Sequence, residues 1–416
     1  RAESRGNRVV TMSEAPARSS LMPAWYPIFT RPPVSRATRP LRSADSLRLA
    51  DASLGWQGRA ELDLGLYDQA LAHYYQLFRT ARFPESIEGC ISLDRTCYKA
   101  LTDKKARLDV LAADPLCHRI LTAWVLSSPS MGDSPELYHA QSCAAWLDAV
   151  EVAAKRSPKG VAAGADRLAW AAYRAGRMEA AARWAALADP KAPYARWVRS
   201  KLLLRAGKID EALEVLRGLV GAFPAEEAWE EDHCRIVPDE TVRTEVGLLL
   251  LGRRDYTAAL DMLVRGMSWD DAAYVAERVL TVDELTDFIA KRDKDAALTA
   301  LPPKRNPWET QQPSAISRLR YVLARRLARQ GDWTKARPLW PAQTLPHADR
   351  YVAIMAIARD AKRADRDRAV ALYRAARLVR TYGLALLGTE LDPDWGVYGG
   401  NNDGNTLARR GVAQAG

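Results

Sequence analysis

Apolar residues recur at helical spacing through most of the chain from residue 45 onward. Within 205–224, charged residues lie off a single apolar face made of Ala212, Leu216, Leu219, Val220 and Phe223. We predict Asp210 as the N-cap of this helix and Pro224 as its end. Because Gly207 ends the preceding helix, the predicted unit is a helix, a tight turn and a second helix.

The same turn recurs as the pattern glycine, one residue, a large apolar residue, two residues and alanine. Four copies begin at Gly65, Gly176, Gly207 and Gly331, and a fifth copy, which begins at Arg254, lacks the glycine. The pattern resembles the turn of tetratricopeptide (TPR) repeats, where glycine makes the turn and alanine lets the two helices approach closely. This resemblance implies an all-α, right-handed solenoid of antiparallel helix pairs.

Composition divides the chain into five predicted segments. A basic, proline-rich extended arm precedes the repeats, and a loop-rich tail follows them. The segments are the arm at 1–44, TPR-like repeats at 45–300 with an acidic insertion at 225–238, a proline-rich linker at 301–314, helix pairs at 315–390, and a Gly/Asn/Asp-rich tail at 391–416.

The arm carries a cluster of large apolar residues, which solvated tails seldom contain. We expect this cluster to bind an apolar groove, either along this solenoid or on a neighbouring subunit. The alternative is an arm that packs on its own domain. The residues are Leu21, Met22, Trp25, Tyr26, Ile28 and Phe29.

Two further stretches are candidates for partner binding. Trp229 lies among the acids of the insertion, where a basic partner or the basic arm would bind, unless the insertion is a solvated loop. Arg318, Arg325 and Arg329 form a basic stripe roughly opposite the apolar face of the helix predicted at 314–330. Such a stripe would contact a partner or RNA, or would be solvated or paired with acids of the next helix.

Composition is that of a globular protein, with 48% hydrophobic and 27% charged residues and a net charge of +10. No apolar run reaches the roughly 18 residues of a membrane span. The five cysteines form no CxxC pair, so we expect buried free thiols rather than a disulfide framework. Because the sequence begins at Arg1 instead of methionine, we expect a removed upstream segment. Composition leans towards a periplasmic or envelope protein and leaves the cytoplasm open.

No motif for catalysis, a metal or a cofactor stands out, and we predict none. The dipeptide Glu85-Ser86 is similar to a lytic transglycosylase pair but lacks the surrounding lysozyme-like domain. The Cys/His pairs at 117–118, 139–143 and 233–234 match no structural zinc module. The acids between Asp392 and Asp403 lack the spacing of an EF-hand calcium loop, which leaves turn formation as the alternative to a cation site.

We therefore expect a non-enzymatic scaffold or adaptor subunit that binds other proteins, with self-association left open. The first alternative is a helical domain that recognises glycan or peptidoglycan for an enzyme. Tryptophans on the concave surface beside paired carboxylates would favour that alternative, and tryptophans buried between helices would favour the scaffold. The second alternative is RNA binding, which the residues favour least because the repeats carry no periodic polar pairs.

Overall fold

The computed structural model describes residues 44–81, 85–126, 135–156, 164–224, 227–231, 234–302, 304 and 310–391. This part of the chain is almost entirely α-helical, so the predicted all-α class is confirmed. None of the helices described here is both long and apolar enough to cross a membrane. The chain forms two compact units, which we call unit 1 and unit 2, and the boundary follows Val242.

Unit 1 contains helices joined mostly by short connections, which favour antiparallel neighbours. Its helices are α1 (Ala44–Asp63), α2 (Tyr67–Thr80), α3 (Glu85–Thr102), α4 (Leu108–Ala113), α5 (Pro115–Leu126), α6 (Pro135–Arg156), α7 (Ala165–Arg174), α8 (Met178–Leu187), α9 (Pro193–Arg205) and α10 (Ile209–Arg217). The acidic insertion contains a short antiparallel hairpin of β1 (Trp229–Glu231) and β2 (Cys234–Ile236), in which Trp229 pairs with Ile236. Helix α11 (Pro238–Gly252) carries the chain across the boundary.

Unit 2 continues with helices of very different lengths. They are α12 (Tyr256–Arg265), α13 (Trp269–Tyr274), a π-helical turn (Val275–Val279), α14 (Val282–Arg292), α15 (Ala296–Thr299), α16 (Ala315–Arg329), α17 (Trp333–Ala336), a 3₁₀ turn (Arg337–Leu339), α18 (Leu345–Arg359) and α19 (Asp365–Leu387). The buried apolar residues of this unit form a core in which α16 is prominent, with Leu319, Val322 and Leu323 at most 1% exposed. Leu378 and Leu386 of α19 belong to the same core.

The five predicted turns share one backbone geometry. In the turn at Gly207, the Gly207 amide donates to the Leu204 carbonyl at 3.0 Å and the Lys208 amide donates to the Leu203 carbonyl at 2.9 Å. This is the Schellman arrangement of a helix end, which requires a left-handed residue. The glycines at 65, 176, 207 and 331 supply it with φ between 74° and 85°.

Arginine and methionine occupy the same backbone position in two other turns. Arg254, in the copy that lacks glycine, has φ of 64°, and Met267 has φ of 57° in a sixth turn that the sequence pattern missed. Both turns form the same pair of hydrogen bonds. The alanine that follows each of the six turns is fully buried, as expected where two helices pack closely; these are Ala70, Ala181, Ala212, Ala259, Ala272 and Ala336.

Both predicted ends of helix α10 were wrong. Helix α10 begins at Ile209, with Lys208 as its N-cap, and ends at Arg217, well before Pro224. Ile209 can begin the helix because the turn at Gly207 leads directly into it. Pro338 shortens the second helix of the last predicted turn to α17, because proline has no amide hydrogen to donate and its ring crowds the preceding turn. The division into units falls after Val242, and the linker predicted at 301–314 lies within unit 2 and stays a prediction.

Candidate functional site

The N-terminal candidates cannot be placed on the fold. Leu21, Met22, Trp25, Tyr26 and Phe29 lie outside the described residues, so their role stays a prediction. The same is true of the Trp229 side chain, although the backbone of Trp229 lies in β1.

Glu227, an acid of the insertion, lies inside unit 1. Its carboxylate is 2.9 Å from the Arg167 guanidinium and accepts a 2.8 Å hydrogen bond from the Tyr194 hydroxyl. Burial raises the pKa of Tyr194 well above its usual 10, so this hydroxyl keeps its proton. Glu227 therefore fixes the insertion to α7 and α9, and it is not available to a basic partner.

The three candidate arginines of α16 face carboxylates of unit 2. The Arg325 side chain is 6% exposed and forms an ion pair with Glu390. Arg318 lies 3.7 Å from the same carboxylate, and its guanidinium is 3.6 Å from the centroid of the Trp269 ring. The Trp269 indole also donates to Glu390 at 3.0 Å. Glu390 is thus shared by two arginines and a tryptophan.

The third arginine uses a second carboxylate. Arg329 forms an ion pair with Glu277, whose side chain is 3% exposed and lies in the π-helical turn. The other Glu277 oxygen accepts the backbone amide of Glu390 at 3.4 Å. Because Glu277 and Glu390 are joined in this way, the three arginines belong to one network.

Burial dominates the electrostatics of this network. Desolvation lowers the pKa of Arg318 and Arg326 below the usual 12.5, with Glu390 and Glu277 opposing the shift. Arg326 is further held by the Ala276 carbonyl, to which it donates at 2.6 Å. The interpretation of Arg325 as part of an exposed stripe on α16 was therefore wrong. Whether any of these arginines contacts a partner stays untested.

The network also holds the C-terminal end of α19. Arg329 donates to the carbonyls of Leu387 at 3.2 Å and Gly388 at 2.8 Å, and the Tyr321 hydroxyl donates to Ala385 at 2.8 Å. The last carbonyls of a helix have no partner within the helix, and a cation there offsets their partial negative charge. These contacts from α16 fix the C-terminal end of α19, while Ala371, Ala375, Leu378 and Leu386 bury its inner stripe.

Helix α18 supports α19 from a second side. The two helices pack together and are joined by the short connection at 360–364. The rings of His347 in α18 and Tyr382 in α19 stack with centroids 3.7 Å apart. Helix α19 is therefore a firmly held element, although most of its side chains are exposed.

The outer side of α19 carries a mixed apolar and basic surface, which we call the α19 face. Its six residues follow one another at spacings of three or four positions, so they lie within a narrow sector of the helix opposite the buried stripe. All are exposed, with Tyr373 at 65% and Leu384 at 85%. The face consists of Arg366, Val370, Tyr373, Arg377, Arg380 and Leu384.

The α19 face carries three positive charges and no acid. Within the described part of the chain, no carboxylate forms an ion pair with Arg366, Arg377 or Arg380. By contrast, Arg368 on the flank of the helix pairs with Asp365 at 3.1 Å. The chain therefore supplies the face with neither an apolar cover nor counter-charges among the residues described.

The sequence analysis assigned 315–390 to helix pairs without saying which side of each helix is buried, so it missed this face. A signal was present in the spacing. Ala371, Ala375 and Leu378 complete one buried stripe, so Val370 and Tyr373 must point elsewhere.

Comparison with protein-family models and with curated proteins gives no match for this chain.

Proposed function

We propose that this chain is a non-enzymatic protein-interaction scaffold or adaptor subunit of a larger assembly, and that a partner protein binds the α19 face. One observation carries the proposal: an anchored helix exposes apolar and unpaired basic side chains on the side opposite its buried stripe. Exposed apolar surface rimmed by polar residues is typical of interaction sites.

The repeated turns support a scaffold architecture. Six turns with the same hydrogen bonds and buried alanines are what tandem helix pairs require. A right-handed, TPR-like solenoid is the arrangement we propose for them. Such an array has a long surface, which suits the binding of an extended segment or helix of another protein.

The tryptophans favour the scaffold over a glycan-binding domain. Six tryptophans with described side chains are buried: Trp124, Trp146, Trp170, Trp184, Trp197 and Trp340. Trp170 and Trp197 stack in the interior of unit 1 with ring centroids 4.2 Å apart. Glycan recognition would require such rings on the surface. Among the described tryptophans, Trp56 is largely exposed, at 77%.

The arginines of α16 weaken the RNA alternative. Their charges are matched by Glu277 and Glu390 within unit 2. A phosphate backbone would have to compete with these carboxylates for the guanidinium groups. We therefore assign RNA binding the lowest rank among the three functions.

The proposal is tested by purifying the tagged full-length chain from its native source and identifying the co-purifying molecules by mass spectrometry. The comparison is between the wild type and a Tyr373→Ala/Leu384→Ala variant, which removes exposed apolar side chains without opening the core. An Ile91→Ala/Val110→Ala variant of unit 1 removes apolar surface of similar exposure elsewhere and is the control.

We expect a defined set of proteins to co-purify with the wild type and the control, and to be lost from the Tyr373→Ala/Leu384→Ala variant. If the same set remains on all three chains, the α19 face is not the binding surface and the proposal is wrong. If glycan or RNA co-purifies in place of proteins, the corresponding alternative replaces it.

A further inference from the structure

We propose that the partner seated on the α19 face is an acidic amphipathic helix of another protein. This inference rests on the proposed function and adds the chemistry of the partner. Its carboxylates would pair with Arg366, Arg377 and Arg380, and its apolar stripe would pack on Val370, Tyr373 and Leu384.

The dimensions of the face match a helix. From residue 366 to residue 384 it extends about 27 Å along the axis of α19, the length of a helix of roughly 18 residues. Its residues form a continuous row at alternating spacings of four and three, which is the spacing of the seam along which two helices pack in a coiled coil. Because the face is a straight row on one helix, an elongated helical partner fits it better than a globular surface.

The position of the charges sets the pattern required of the partner. Arg366 lies at one end of the face, and Arg377 and Arg380 lie about 16 and 21 Å further along. Val370 and Tyr373 lie between Arg366 on one side and the pair Arg377 and Arg380 on the other. An antiparallel or parallel helix would therefore need carboxylates 11 to 14 residues apart on the face that carries its apolar stripe. Arginine suits such contacts because its planar guanidinium binds a carboxylate with two hydrogen bonds.

The arrangement of charge also favours a protein over an anionic membrane. A helix that lies in a bilayer surface separates its basic side chains from its apolar ones, so that the apolar face enters the lipid alone. On the α19 face basic and apolar side chains share one narrow row, and inserting Val370 or Leu384 into lipid would also insert Arg377 and Arg380. An acidic amphipathic helix contacts both kinds of side chain at once.

A nucleic acid fits the face less well for a different reason. Phosphates would bind the three arginines, and a base would stack on Tyr373. Val370 and Leu384 would gain no apolar contact, although Leu384 is 85% exposed. The apolar half of the face is explained only by an apolar partner surface.

The test uses the full-length chain and a fluorescein-labelled helical peptide of roughly 20 residues. The peptide carries a leucine stripe, one glutamate within that stripe near one end, two more about 11 and 14 residues further along, and alanine elsewhere. Binding is followed by fluorescence anisotropy at low and at moderate salt. A scrambled peptide of the same composition, a peptide with lysine in place of glutamate, vesicles containing phosphatidylserine and a single-stranded RNA are measured in parallel.

We expect the acidic helix to bind the wild type at least about tenfold more tightly than the scrambled peptide does. Its affinity should fall as the salt concentration rises. Arg377→Glu/Arg380→Glu should weaken that binding by a similar factor and should gain binding of the lysine peptide. The control is Arg95→Glu/Lys99→Glu on α3, which makes the same change in net charge at exposed positions of unit 1. Circular dichroism should show unchanged helicity for both variants.

The inference is wrong if the scrambled peptide binds equally well, or if the control variant loses binding as the Arg377→Glu/Arg380→Glu variant does. It is also wrong if the binding of vesicles or RNA is lost in the Arg377→Glu/Arg380→Glu variant while the binding of the acidic helix is not. Co-purification separates this failure from failure of the proposed function. If partner proteins still require Tyr373 and Leu384 while the acidic peptide does not bind, the scaffold function stands and the partner chemistry is wrong.

Discussion

Arg254 has the same left-handed backbone conformation as Gly207, with φ of 64° against 74°, in turns with the same hydrogen bonds. The left-handed region costs a residue with a Cβ about 1–2 kcal/mol, whereas glycine enters it freely. The turn is therefore specified by the two helices that it joins, and not only by glycine. An arginine is forced into it where the surrounding structure requires the turn.

Replacing Arg254 by glycine should stabilise unit 2. The substitution removes the backbone strain but adds freedom to the unfolded chain, so we expect a net gain of about 0.5–1 kcal/mol in the free energy of unfolding. For a unit of this size that gain corresponds to a rise of roughly 1–4 °C in the melting temperature, measured by circular dichroism.

The reverse substitution, Gly207→Ala, should destabilise unit 1 by about 1 kcal/mol. A Cβ at Gly207 would meet no atom within 4 Å, so any loss must come from the backbone and not from a clash. Gly252 is the matched control, because it has equally open surroundings without a positive φ. Gly252→Ala should cause no loss. Equal losses in both alanine variants would contradict the explanation by backbone strain.

Glu277 and Arg329 should be energetically coupled. Glu277→Gln leaves Arg329, whose side chain is 31% exposed, without its carboxylate, and we expect unit 2 to lose about 2–3 kcal/mol. Arg329→Met should also destabilise it, because Arg329 binds the last carbonyls of α19. Denaturant unfolding of both single variants and the double variant gives the coupling energy.

The double variant should lose less than the sum of the two single losses, by about 1–3 kcal/mol. Hydrogen exchange adds a local measurement. The amides of the last turn of α19 should exchange faster in Arg329→Met than in the wild type, and by a larger factor than the amides of α12, which belongs to the same unit. Fully additive losses, or unchanged exchange in α19, would show that the network does not hold this helix.

The sequence predicted the helical class and the turns because both depend on local chemistry. Gly176 and Ala181, for example, are required by a tight turn and a close helix contact, and each can be recognised in a short window. The turn at Met267 was missed because methionine at this position gives no local signal. Here the packing of α12 and α13 overrides the preference of the residue.

The candidate site depended on contacts between distant residues, which periodicity does not report. Arg325 lies at a helix position that looks exposed in sequence, yet Glu390, 65 residues away, makes it a buried ion pair. The outer face of α19 became visible only when the buried stripe was known. Val370 and Ala371 are adjacent apolar residues, and packing alone decides which of them is covered.

The four cysteines with described side chains should be inert in the folded protein. Cys90, Cys97, Cys117 and Cys143 are at most 5% exposed. Burial raises the pKa of Cys90 to about 12 and of Cys143 to about 11, so almost no reactive thiolate forms at neutral pH. In a Cys234→Ser variant, Ellman's reagent should find no rapidly reacting thiol under native conditions and four in denaturant. Rapid native reaction would show that the packing of α3, α5 and α6 opens.

His118 should make the protein less stable as the pH falls below neutrality. It is 4% exposed, its ring centroid lies 5.9 Å from that of Trp146, and burial lowers its pKa below the usual 6.5. Below pH 6.5 the unfolded chain binds a proton that the folded chain does not, so the free energy of unfolding falls as the pH drops towards the folded-state pKa.

The limiting slope for His118 is about 1.4 kcal/mol per pH unit. His118→Phe keeps an aromatic ring beside Trp146 and removes the titration. The drop in melting temperature between pH 7.5 and 5.5 should therefore be smaller in this variant than in the wild type. Asp109 does not titrate between pH 5.5 and 7.5 in the folded protein, because Arg107 and Arg156 lower its pKa to about 2. It therefore does not contribute to the difference between the two proteins. An equal drop in both proteins would mean that His118 is accessible to protons in the folded state.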